Sequence, residues 1–142
     1  MKNLLLTITL LVTPLLASAQ GKSESTEGTT ITVTIPVPGY GGSLIAGLYD
    51  EATFMKAAPI QGQESDVNEG YASVTFTNVT PGVYAISLFH DKNGNKTMDF
   101  EPNGMPKEMY GVSNNPMSYG PPQWSEAKFE VGTEPIKMEI RL

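Results

Sequence analysis

Between positions 91 and 99 the chain reads Asp-Lys-Asn-Gly-Asn-Lys-Thr-Met-Asp, which sets oxygen-bearing side chains at Asp91, Asn93, Asn95 and Asp99. Calcium takes about six to eight oxygens at roughly 2.3 to 2.6 Å, and loops supply them from alternating Asp and Asn positions while glycine permits the tight reversal. Thr97 would add its backbone carbonyl and Glu101 a further carboxylate. The spacing therefore predicts a Ca²⁺ site built from Asp91, Asn93, Asn95, Thr97, Asp99 and Glu101. Lys92 and Lys96 lower the negative charge, so the expected affinity is weak, about 10⁻⁴ to 10⁻³ M as in extracellular modules. A helix-loop-helix calcium site would carry a closing glutamate where this chain has Pro102. The same residues also have a metal-free reading. Asn93-Gly94 is a strong turn signal, and Asp and Asn side chains order loops by bonding to nearby backbone.

Other chemistry is sparse. His90 is the one histidine and there is no cysteine, which excludes a multi-histidine zinc centre, thiolate metal sites, disulfides and a lipidated cysteine. No serine stands in a nucleophile-elbow context, so a hydrolase is the weakest alternative. Tyr110, Tyr119 and Trp124, set among glycines and prolines, form a candidate ligand surface for a glycan or an extended peptide. Their bland alternative is that they pack a long loop onto the fold. With nine basic and fifteen acidic residues the net charge is −6, which disfavours nucleic acid as a partner.

These residues need a scaffold, and the chain spells one out. Lys2, the apolar run Leu4 to Leu16 and the small residues Ala17-Ser18-Ala19 predict a signal peptide over 1–19, and hence a periplasmic or secreted protein. The apolar run is shorter than a membrane span of about 20 residues, and no transmembrane segment is expected. Residues 20–28 are polar and read as a flexible leader. A single domain is expected over 29–142. Ile31, Val33 and Ile35 alternate with polar residues as in a strand buried on one face, and Ser43 to Tyr49 is apolar enough on both faces to be central. Asp50 to Asn68 reads as one or two helical turns followed by loop.

Tyr71 to Thr77 and Val83 to His90 alternate again. The turn signal Asn78-Val79-Thr80-Pro81-Gly82 between them predicts a hairpin. From Asp91 to Ser125 periodicity vanishes, but Met98, Phe100, Met105, Met109, Tyr110, Met117, Tyr119 and Trp124 are too many large side chains to leave in water. This segment reads as a long ordered loop. Ala127 to Val131 and Ile136 to Leu142 are closing strands. Six strands without substantial helix predict an all-β, antiparallel β-sandwich, with one or two further short strands inside the loops.

The run His90-Asp91-Lys92-Asn93-Gly94-Asn95-Lys96-Thr97-Met98-Asp99, with Gly104-Met105-Pro106-Lys107-Glu108-Met109-Tyr110-Gly111-Val112-Ser113-Asn114-Asn115 after it, resembles the signature of a secreted bacterial family catalogued as domain of unknown function 2141. The likeness continues through Gly120-Pro121-Pro122, Glu126-Ala127 and Phe129, and back through Phe76, Pro81-Gly82 and Tyr84-Ala85. It implies an exported protein of Gram-negative type with a prealbumin-like sandwich, beside which an immunoglobulin-like arrangement stays open. It implies no activity. The residues together predict a non-enzymatic module that binds calcium and a glycan or peptide through 91–125. A structural or assembly protein of the cell envelope without a small ligand is the alternative.

Overall fold

A computed structural model describes residues 27–142; the signal peptide expected over 1–19 and most of the expected leader lie outside the described residues. Eight strands and one helical turn follow in order: β1 Thr29–Pro36, β2 Ser43–Tyr49, β3 Gln61–Asp66, β4 Tyr71–Val79, β5 Gly82–Asp91, β6 Tyr110–Val112, α1 Trp124–Ala127, β7 Phe129–Val131 and β8 Ile136–Glu139. The fold is all-β with two sheets. One has the order β4-β1-β8, and the other β3-β2-β5-β6 with β7 also on β5.

Period-two alternation explains how the sheets meet. Ile31, Val33 and Ile35 of β1 and Ala72, Val74 and Phe76 of β4 point inward and are buried, while Thr32, Thr34, Ser73 and Thr75 face out. Across the core lie Leu44, Ala46 and Leu48 of β2 and Ile86 and Leu88 of β5. All neighbouring strands are antiparallel except β8, which runs parallel to β1 from Ile31↔Ile136 to Thr34↔Glu139. The central place expected for β2 holds, since it pairs with β3 on one side and β5 on the other.

The second sheet also buries part of its outer face. Phe54, from the turn after β2, joins Ala85, Val112 and Ala127 in a small second core, with Tyr49 and Trp124 packed against it. Tyr49 and Phe54 meet edge to face at 5.9 Å, and Phe54 and Trp124 lie at 5.8 Å. Such pairs add about 0.5 to 1.5 kcal/mol beyond the area they bury. The end of the long 91–125 segment is thereby fastened over the sheet.

Three expectations are corrected. The strands Tyr71–Val79 and Gly82–Asp91 do not form a hairpin: β4 pairs with β1, and β5 with β2, β6 and β7, so Thr80-Pro81 carries the chain from one sheet to the other. Tyr84 holds that corner, its hydroxyl donating to the Thr80 carbonyl at 3.0 Å and lying 3.2 Å from the Thr80 hydroxyl. A tyrosine hydroxyl bonded back to the backbone a few residues upstream, where the chain passes between sheets, is the arrangement called a tyrosine corner. Tyr84→Phe is expected to cost about 1 kcal/mol, read as a melting temperature a few degrees lower; an unchanged melt would remove the bond from the account.

Second, β3 lies where the sequence predicts loop. Its sequence Gln-Gly-Gln-Glu-Ser-Asp buries no side chain and carries no apolar alternation, yet six consecutive residues pair with β2. Third, Ala127 closes the helical turn α1 rather than opening a strand, and β7 starts at Phe129.

Candidate functional site

The segment leaving β5 is organised around a buried carboxylate. Asp91 is fully buried; its Oδ1 accepts the Gly94 N–H at 2.8 Å and its Oδ2 accepts the Lys96 N–H at 2.8 Å. To curl around one side chain the backbone enters the left-handed region at Gly94 (φ 74°) and Lys96 (φ 60°). Glycine takes that conformation freely, whereas lysine is strained there. Lys96 also reaches back to β3, where its ammonium donates to Glu64 at 2.8 Å. That bond holds the Glu64 carboxyl below the usual carboxylate range, aided by the Ser43 hydroxyl, and holds the Lys96 ammonium above its ordinary value.

Asn93 and Asn95 each use both ends of the amide. Asn93 Oδ1 accepts the Asn95 N–H at 3.1 Å, and Asn95 Oδ1 accepts the Thr97 N–H at 3.0 Å. Their Nδ2 groups converge on Asp99 Oδ2 at 2.7 and 2.9 Å. Asn93, Asn95, Thr97 and Asp99 are thus gathered in one network, beside the separate bonds of Asp91 to Gly94 and Lys96, and the donor and acceptor pairing matches the Asx-turn reading of the loop. Glu101 is not part of it. Among the described residues no group of three or more His, Asp or Glu side chains is arranged to hold a metal ion.

Glu101 begins a small hairpin inside the stretch expected to be loop. Its N–H donates to the Met105 carbonyl at 2.7 Å, its carbonyl accepts the Gly104 N–H at 2.8 Å, and Phe100 bridges to Pro106. Glu101-Pro102-Asn103-Gly104 is the signature of a turn followed by a left-handed glycine, here at φ 83°, and was legible as such. The hairpin is tied at its base, where Lys107 N–H donates to the Asp99 carbonyl and the Glu108 carboxylate accepts the Asp99 N–H at 2.7 Å. His90 N–H then joins Met109, and its Nε2 lies 2.7 Å from the Gly41 carbonyl, which makes Nε2 the protonated nitrogen. Gly42 is required beside this contact, because a Cβ there would strike the Asp91 carbonyl oxygen and crowd the His90 ring.

The Ser113-Asn114-Asn115 run fastens the remainder. The buried Ser113 hydroxyl accepts the Ile86 N–H at 3.0 Å and donates to the Ala127 carbonyl at 2.5 Å, linking β5 to α1. Asn114 donates to the carbonyls of Glu126 and Lys128, both at 2.9 Å. Asn115 continues the ladder of β8 with its amide, donating to the Glu139 carbonyl at 2.9 Å and accepting the Arg141 N–H at 2.8 Å. Both asparagines are left-handed, at φ 68° and 48°, a conformation their short polar side chains tolerate.

A family model described as an uncharacterized protein conserved in bacteria, DUF2141, matches residues 22–139. The chain belongs to this family. No curated protein and no solved structure matches it. The residues that carried the family signature in the sequence therefore have visible work in the fold: Asp91, Asn93, Asn95 and Asp99 close the loop, Glu108 ties the hairpin, and Ser113 to Asn115 dock the segment.

The three aromatic residues proposed as a ligand surface are placed differently from one another. Trp124 is partly buried on Phe54. Tyr110 sits on the short β6 at the border of exposure, and Tyr119 is fully exposed. Phe100, Met105 and Met117 are exposed on the same 91–125 segment as Tyr119. No helix among the described residues is long and apolar enough to cross a membrane.

Proposed function

We propose that the protein is an exported binding module that performs no covalent chemistry and engages a protein partner through the segment between Phe100 and Tyr119. One observation carries this reading: the segment is ordered by the Asp91, Glu108 and Ser113 contacts, yet it leaves Phe100, Met105, Met117 and Tyr119 in water. Ordering a loop costs conformational entropy, and exposing large apolar side chains on it forfeits the burial that would offset that cost. Aromatic residues and methionine are the types enriched in protein–protein interfaces. Export is supported by the pattern of Lys2, Leu4 to Leu16 and Ala17-Ser18-Ala19. A prealbumin- or immunoglobulin-like sandwich is supported by the tyrosine corner.

The test is a photoreactive benzoylphenylalanine placed at Tyr119 or Met105 in the producing cell, with Thr75 on the outer face of the other sheet as control. A discrete adduct from the first two positions, absent at Thr75 and weakened by Met117→Ser, is expected. No adduct, or equal adducts from all three, would overturn the reading. Adsorption of the purified domain to a polysaccharide, lost in Tyr119→Ser, would replace the protein partner with a glycan.

Calcium in the 91–99 loop is a second reading, favoured by the convergence of Asn93, Asn95 and Asp99 side chains within 2.9 Å. To ligate a cation, both amides would have to turn their oxygens inward and release the N–H groups of Asn95 and Thr97. Loaded and metal-free loops are then alternative packings. Thermal melts after chelation, with added calcium or magnesium and with Asp99→Asn, decide between them. Calcium about a hundredfold above its dissociation constant adds about 2.7 kcal/mol if it binds only the folded state. A calcium-selective rise that Asp99→Asn weakens is expected on this reading; identical melts under every condition would reject it.

A further inference from the structure

On the outer side of the five-stranded sheet, the turn after β2, the start of β5 and α1 enclose an open groove of about 380 Å³ lined by Asp50, Glu51, Ala52, Val83, Trp124 and Lys128. We propose that this groove receives an arginine side chain of a polypeptide partner, stacked on the Trp124 indole and paired with the carboxylates of Asp50 and Glu51. The indole is held in place from behind by Phe54, at 5.8 Å between ring centroids. Tryptophan is the best aromatic partner for a cation, and arginine, being planar and weakly hydrated, stacks on it more readily than lysine does.

The acidic side of the groove is also preset. Asp50 Oδ1 accepts the Thr53 N–H at 2.9 Å and the Thr53 hydroxyl at 2.8 Å, while the Asp50 N–H donates to the Thr53 hydroxyl oxygen at 3.1 Å. These bonds hold the Asp50 carboxyl below the usual carboxylate range, so it is ionised at neutral pH. Neither the Glu51 carboxylate nor the Lys128 ammonium has an ion-pair partner among the described residues. Two carboxylates against one ammonium give the lining a net negative charge, which selects a cationic guest. A guanidinium fork matches the geometry of a carboxylate edge better than a point charge does. The polypeptide source rests on the protein-partner reading above, but none of the groove's lining residues falls between Phe100 and Tyr119.

Trp124 is the only tryptophan in the chain, so its fluorescence reports on this groove alone. The purified mature protein is titrated with the blocked tripeptide acetyl-Gly-Arg-Gly-amide, with its citrulline counterpart as a neutral isostere and its glutamate counterpart as an anionic one. A saturable change with the arginine peptide is expected, weakened by salt. Glu51→Gln should weaken binding several-fold and Lys128→Gln should strengthen it, a pair of opposite signs that a merely structural role would not produce. Equal responses to the citrulline peptide, or no saturation either in fluorescence or in the indole N–H resonance of Trp124, would overturn the proposal. Such a failure leaves the cross-linking at Tyr119 and Met105 unaffected, so the two readings fail separately.

Discussion

A chain ending at Pro135 is expected not to fold. The lost segment contributes β8, the parallel neighbour of β1, and Ile140, which is fully buried and donates its N–H to the Thr34 carbonyl at 3.1 Å. Ile136, Met138 and Leu142 pack on the same core. Fully burying one large apolar side chain contributes about 1.5 to 3 kcal/mol, and because Ile136, Met138 and Leu142 are only partly buried the four together are worth roughly 5 to 10 kcal/mol. That matches the entire stability of a typical domain, about 5 to 15 kcal/mol. The three-stranded sheet would also shrink to two strands, with β1 turned into an open edge. Circular dichroism and a thermal melt of the truncated chain check this, and a native spectrum with an unchanged transition would reject it. Ile140→Ala is the graded version, expected to cost about 3 kcal/mol.

Asp91→Ala is the substitution with the next largest expected effect, about 3 to 6 kcal/mol. Hydrogen bonds to a charged group contribute about 1.5 to 3 kcal/mol each, and alanine removes two while leaving the Gly94 and Lys96 N–H groups without their acceptor. Asp91→Asn keeps one acceptor oxygen and should fall between alanine and the parent. Urea denaturation measures the cost, and hydrogen exchange at the amides of Gly94 and Lys96 locates it. Changes below about 0.5 kcal/mol in both variants, the scale of ordinary surface substitutions, would mean that the buried carboxylate does not organise the loop. The same urea titrations repeated in chelator separate this structural role from any bound cation, because the two N–H bonds form within the chain itself.

The strands with one apolar face were legible because burial at every second residue needs no knowledge of the partner. Ile31, Val33 and Ile35, and equally Ala72, Val74 and Phe76, announce an inward face by type alone. β3 escaped for the converse reason: it is held by backbone bonds to β2 and by the Gln61 side chain on the Thr77 carbonyl, and none of these leaves a mark in hydropathy. The loop residues Asp91, Asn93, Asn95 and Asp99 were legible as a set of local oxygen donors. What they bind was not, since an Asp that ligates a cation and an Asp that accepts two backbone N–H groups have the same spacing.

By itself the sequence determined which segments extend, which faces are apolar, where turns fall and that one oxygen-rich loop follows the strand Val83 to His90. Tertiary structure alone decided partnership. Thr80-Pro81 reads as a hairpin turn in isolation, but pairing β4 with β5 would place both apolar faces on one side of a single sheet with nothing to cover them. Sending β4 to β1 and β5 to β2 sets Phe76 and Val74 in the core that Ile86 and Leu88 close from the opposite sheet, and that burial outweighs the shorter connection. The same holds for Ser113, Asn115 and Glu108, whose acceptors and donors are backbone groups at least nine residues away in the chain. Hydropathy is a property of each residue, whereas a hydrogen-bond partner is a property of where the folded chain returns.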